Sequence, residues 1–131
     1  MSDILTQPEK FKAELKEKWL NYYKTNRTWL QNYMNNNSGW YDKVRFETEA
    51  LKSLGFDEDY TPRRPECYFI LGVVSVLEPS ITNIFTFVEN FTSNSEEIVR
   101  ALGLHFDPEI ELKIRSQQSE NLNCIKEETE T

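Results

Sequence analysis

The amino-acid sequence predicts an all-α protein: a compact bundle of about five to six helices with a long aromatic N-terminal helix and a central apolar helical hairpin. Three observations predict it. Apolar residues recur at steps of three and four over most of the chain. Cap and stop signals punctuate those runs. The stretch most favourable to a strand, Tyr68 to Val76, has no second stretch of comparable length to pair with, and a lone strand cannot satisfy its own backbone.

The first helix starts at Thr6-Gln7-Pro8-Glu9, with Thr6 as cap, Pro8 in the first turn and Glu9 placed to complete a capping box. Phe11, Leu15, Trp19, Tyr22 or Tyr23, Asn26, Leu30 and Tyr33 then share one face to about Met34, where Asn35-Asn36-Asn37-Ser38-Gly39 ends it. Trp19-Leu20-x-x-Tyr23 is echoed by Trp29-Leu30-x-x-Tyr33. An offset of ten residues rotates the second set about 80° from the first, so the helix carries two aromatic faces.

A second helix is predicted from Gly39 or Trp40 to Leu54, closed by a Schellman-type stop at Gly55-Phe56. A charged loop follows, and Pro65 occupies the first turn of a third helix over about Glu66 to Leu77, apolar on most sides as a central core element is. Glu78-Pro79-Ser80 breaks the chain. Ile81, Ile84, Phe85, Val88 and Phe91 mark a fourth helix, which forms the hairpin with the third. Ser93-Asn94-Ser95-Glu96 is a capping box for a short helix that stops at Gly103, and Asp107-Pro108 caps one more, carrying Ile110 and Ile114. Beyond about Ser116 the apolar periodicity fades. Residues 1–115 are therefore expected to form a single helical domain and residues 116–131 a flexible acidic tail.

The totals narrow the function classes. The longest apolar stretch, Cys67 to Leu77, is far below the roughly 18 to 20 residues that span a bilayer, and the N-terminal residues lack the features of a secretory signal. Two distant cysteines, Cys67 and Cys124, are expected to be free thiols in a reducing, cytoplasmic setting. The net charge of −7 argues against nucleic acid as a partner. It is unevenly spread: residues 9–52 carry nine Lys/Arg against six Asp/Glu, and residues 57–131 six against fifteen.

Chemistry-bearing motifs are scarce. One His and two separated Cys cannot make a zinc site of the usual kind, and four scattered glycines cannot build a phosphate loop, so no metal, cofactor or catalytic residue is expected. His105 and Asp107 could pair as acid and base, but the cap role of Asp107 is the stronger reading. Cys67 in an apolar run reads as a small hydrophobe. The residue types that dominate binding hot spots gather on the first helix as Trp19, Tyr23, Arg27 and Trp29, although core and rim would use them equally well. Arg63-Arg64 either grips a carboxylate or phosphate or neutralises Asp57, Glu58 and Asp59.

Three segments together resemble a known family: Trp19-Leu20-x-Tyr22-Tyr23-x-x-Asn26-Arg27-x-Trp29-Leu30; Arg64-Pro65-x-x-Tyr68-x-Ile70-Leu71-Gly72-Val73-Val74-x-x-Leu77-Glu78-Pro79; and Leu102-Gly103-Leu104-x-Phe106-Asp107-Pro108. The family is one of small cyanobacterial proteins of unknown function. The resemblance covers about residues 10 to 112 and implies a photosynthetic prokaryote, with residues 35–62 longer than that family leads one to expect. It brings no activity and no functional residues.

The expectation is thus a non-enzymatic protein-protein interaction module with a regulatory or assembly role, contacting its partner through Trp19, Tyr23, Arg27, Trp29, Arg63 and Arg64. Homo-oligomerisation is a further possibility. The alternative is peripheral attachment to a membrane or membrane complex through the Lys-rich aromatic first helix.

Overall fold

The first helix forms as its periodicity requires. In the computed structural model, which describes residues 6–88 and 94–130 with side chains through residue 86 and over 94–121, α1 spans Pro8–Asn36. Its buried residues are Phe11, Leu15, Trp19, Leu20, Tyr23, Leu30 and Met34. Thr6 is not the cap: Gln7 holds that position without a side-chain hydrogen bond, and Pro8 reduces by one the donors that a cap would satisfy. At the other end Ser38 turns left-handed at φ 52°, and the Gly39 amide reaches back to the Met34 carbonyl at 3.0 Å. A Cβ on Gly39 would collide with the Met34 side chain, which explains glycine there.

The expected second helix is mostly absent. Trp40–Tyr41 form a short strand, β1, paired antiparallel with Arg64–Pro65, β2, in the register Trp40↔Pro65 and Tyr41↔Arg64. Only Thr48–Ser53 is helical, as α2. The reason is non-local. The Arg63 guanidinium lies over the Trp40 ring at 4.1 Å and that of Arg64 over Tyr41 at 4.3 Å, contacts that hold the two aromatics in an extended ladder. The stop after α2 is as expected: Gly55 takes φ 92°, its amide bonds Lys52 at 3.0 Å, and the Phe56 amide bonds Leu51 at 3.1 Å.

Cys67–Leu77 is α3, a helix and not a strand, and Ile81–Val88 is α4. Helix α3 packs against α1, α4 and Ser95–Ala101, which is α5. It buries only one stripe, Cys67, Ile70 and Val74, and leaves Tyr68 and Val76 outside, so it is less central than its composition suggests. Asn94 caps α5, its side chain accepting from the Glu96 and Glu97 amides. Expectations for Phe91 and Ser93 fall outside the described residues, as do those for the side chains of Val88, Cys124 and the acidic end of the chain.

The last helix, α6, spans Pro108–Glu130 and so continues well past Ser116. Apolar periodicity is not needed to extend a solvated helix of good helix formers, and Glu111 with Arg115 adds an i,i+4 pair at 3.1 Å. Arg27 meets Glu109 while Glu17 meets Arg115, so α6 runs antiparallel to α1. The described residues thus make a mainly α, compact fold of six helices and one two-residue ladder. Its core gathers α1 residues with Ile70, Val74, Ile81, Val99, Leu102 and Leu104.

Candidate interaction surface

The six residues singled out from the sequence do not share one surface. Trp19 and Tyr23 are wholly buried, in ring contact with each other at 6.3 Å, and belong to the core. Arg64 is also wholly buried. Arg27 and Trp29 are both exposed, but two residues apart on a helix they point to nearly opposite sides. Arg27 turns toward α6, where its Nε donates to Glu109 Oε1 at 2.6 Å. The same oxygen accepts from Tyr23 and Gln31. Arg63 is half-buried on Trp40, and its amide donates to Asp107 Oδ2 at 2.9 Å.

The exposed aromatic set is Trp29, at 48% exposure, and Tyr33, at 53%. With Tyr22 and Asn26 they form a stripe at steps of four, three and four along α1, and Asn26 Oδ1 fixes the indole through Trp29 Nε1 at 2.9 Å. A second set, Tyr68 at 78% and Val76 at 77%, stands out from α3. The half-buried rings of Tyr22 on α1 and Phe69 on α3 rest on Trp19 with centroids 6.2 and 6.3 Å away. One domain has buried only one of the two aromatic faces of α1, and the rotated one is outside.

Tyr33, Tyr68 and Val76 were not foreseen as surface residues. The ten-residue echo contained the signal for Tyr33, because it sets Tyr33 beside Trp29 and about 80° from Tyr23. No comparable signal existed for α3, whose apolar residues encircle the helix.

Arg63 and Arg64 do not neutralise the preceding acidic loop, where Glu58 lies 3.8 Å from Lys52 instead. The Arg64 fork holds the fold together internally. Nη2 binds Glu96, Nη1 donates to the Pro65 carbonyl at 2.9 Å, and Nε donates to His105 Nδ1 at 3.0 Å. His105 and Asp107 thus bond to other groups and not to each other. Asp107 accepts the amides of Glu109 and Ile110 on one oxygen, as a helix cap, and Tyr60 and Arg63 on the other. Burial raises the Asp107 carboxyl above its ordinary range, with those hydrogen bonds opposing. Glu66, Cys67 and Glu96 bring three donor atoms within 4.8 Å of one another, but Glu96 is taken by Arg64 and burial pushes the Cys67 thiol up to about 11, so the group offers no ready thiolate.

This arrangement makes one pH effect assignable. Burial, then the charges of Arg64 and Arg100, lower the His105 pKa, and Glu96 opposes them only in part. Below about pH 6.5 the unfolded chain binds the proton more readily than the folded one, so stability falls as pH falls. The chain has a single histidine. The urea midpoint is expected to be lower at about pH 5.5 than at about pH 7.5, and His105→Asn, whose amide oxygen can accept from Arg64, is expected to flatten that difference.

The chain is thus a mainly α body with an exposed aromatic stripe on α1 and with Arg64 paired to Glu96 inside the fold. The chain belongs to a family of unknown function, DUF5331, whose model matches residues 5–131. That match extends beyond both ends of the segment that carries the resemblance in the sequence. No curated protein and no solved structure matches the chain.

Proposed function

We propose that the protein is a non-enzymatic protein-protein interaction module with a regulatory or assembly role, acting in the cytoplasm of a photosynthetic prokaryote. One observation supports it above all: Trp29 and Tyr33 stand half-exposed on a well-anchored helix, and Tyr68 and Val76 of α3 are more exposed still. Large rigid aromatics cost little conformational entropy when a partner covers them, and such residues dominate binding energy. Arg27 turns instead to the α6 side, Arg63 lies on Trp40, and Trp19, Tyr23 and Arg64 are buried.

Attachment to a membrane through the Lys-rich α1 has less support. Lys12, Lys16 and Lys18 lie 3.5, 3.3 and 2.7 Å from Glu9, Glu111 and Glu78, so three of its cations are already engaged. No helix among the described residues is long and apolar enough to cross a membrane.

Affinity capture from the native host tests the proposal. Trp29→Ala and Tyr33→Ala are expected to change folding stability by no more than about 0.5 kcal/mol. Each is expected to weaken capture of the partner by about tenfold or more, on the order of 2 kcal/mol at a hot spot. Unchanged capture by both folded variants would remove this surface.

A further inference from the structure

Away from the aromatic face, α1 and α6 leave a cleft between them of about 870 Å³. One wall runs from Glu17 to Arg27 and the other from Glu109 to Glu120, and the end of α2 closes it with Leu54 and Phe56. Each wall is about 15 Å long, three helical turns. The floor is apolar: Leu54, Phe56 and Leu112 are half-buried above the fully buried Leu20. Two antiparallel helices with an apolar seam open to solvent have the shape that a third helix completes.

The charges on the walls select the occupant. Arg115 is bonded to Glu17 at 2.7 Å and to Glu111 at 3.1 Å, and Arg27 to Glu109 at 2.6 Å, so these groups satisfy one another. Lys24 on one wall and Lys113 on the other have no ion-pair partner among the described residues, against one carboxylate of the lining, Glu120, outside those ion pairs. In a chain of net charge −7, two unmatched cations facing each other across an apolar floor complement acidic groups on both flanks of an incoming apolar stripe.

We propose that the α1–α6 cleft receives an amphipathic helix of a partner protein, about three turns long, apolar along one stripe and acidic on both sides of it. This surface is separate from the aromatic face and rests on different residues. The partner's leucine-type side chains cover Leu112, Phe56 and Leu54, while its carboxylates meet Lys24 and Lys113.

Fluorescence anisotropy with designed helical peptides of about 14 residues tests it, using leucines three and four apart flanked by glutamates in one peptide and by lysines in the other. The wild-type protein is expected to bind the glutamate-flanked peptide at least about tenfold more tightly than the lysine-flanked one. Lys24 and Lys113 are exposed, so the double variant Lys24→Glu, Lys113→Glu keeps the fold and is expected to reverse that preference. Trp29→Ala is expected to bind the acidic peptide as the wild type does, which separates this site from the aromatic face. Failure to bind the acidic peptide, equal binding of both peptides, or a preference that survives the double reversal would overturn the proposal. A wild-type dimer in light scattering that the double variant dissociates would overturn it too, since a second copy would then be the occupant.

Discussion

Replacing Arg64 with alanine is expected to lower the free energy of unfolding by about 3 to 5 kcal/mol, the usual result of removing one partner from a buried ion pair. The side chain is wholly buried and has no water to replace what it touches. Its loss deprives Glu96 of its cation, leaves the His105 Nδ1 acceptor and the Pro65 carbonyl without their donor, and removes the guanidinium that stacks on Tyr41. Glu96 is a quarter exposed, which lets water recover part of the cost and places the effect toward the lower end of that range. Arg64→Lys separates charge from shape. A lysine restores the positive charge, but its three donors share one nitrogen and cannot span the separate acceptors that the planar fork reaches, so urea unfolding is expected to place it between wild type and Arg64→Ala.

Trp19→Ala is expected to cost about 3 to 5 kcal/mol as well, for a different reason. Trp19 is fully buried and is the hub on which Tyr22, Tyr23 and Phe69 pack. Alanine leaves a cavity that three rings from two helices cannot refill together. The indole Nε1 finds no hydrogen-bond partner among the described residues, so Trp19→Phe forfeits volume but no polar contact. Its loss is expected to be well under that of the alanine variant. The comparison with Trp29→Ala makes the same residue type report on two roles: a large stability change at 19 and almost none at 29.

The parts of this fold that depend on short-range chemistry were legible in the sequence. The stops at Gly55 and Gly103 need only a left-handed residue and two backward hydrogen bonds, and both form. The cap at Asp107 needs only the two amides that follow it. The long α1 was legible because its apolar face repeats over many turns. Trp40 and Tyr41 were not, because the guanidiniums that hold them extended come from residues more than twenty positions further along. The same limit hid the role of Arg64, whose partners Glu96 and His105 lie 32 and 41 residues away. As a charged residue beside a charged loop, it reads as surface. Tyr68 and Val76 misled in the opposite direction, since apolar side chains all round a helix read as burial on every side.

For the candidate surface, the sequence identified the right helix and only part of the right face. Trp19, Tyr23, Arg27 and Trp29 lie within eleven positions of one another, yet the helical repeat sends them to the core, to the α6 side and to solvent. Which aromatic face a helix buries depends on where its neighbours pack. Here Phe69 and Tyr23 close over Trp19 and leave Trp29 outside.

On the proposed reading, a partner protein docks on the exposed face around Trp29. The most direct measurement places a photo-crosslinking amino acid at position 29, and separately at the exposed position of Glu58 on the charged loop, in the native host. Irradiation is expected to give a discrete crosslinked species from position 29 and none of the same mass from position 58. No product from position 29, or the same products from both positions, would contradict it.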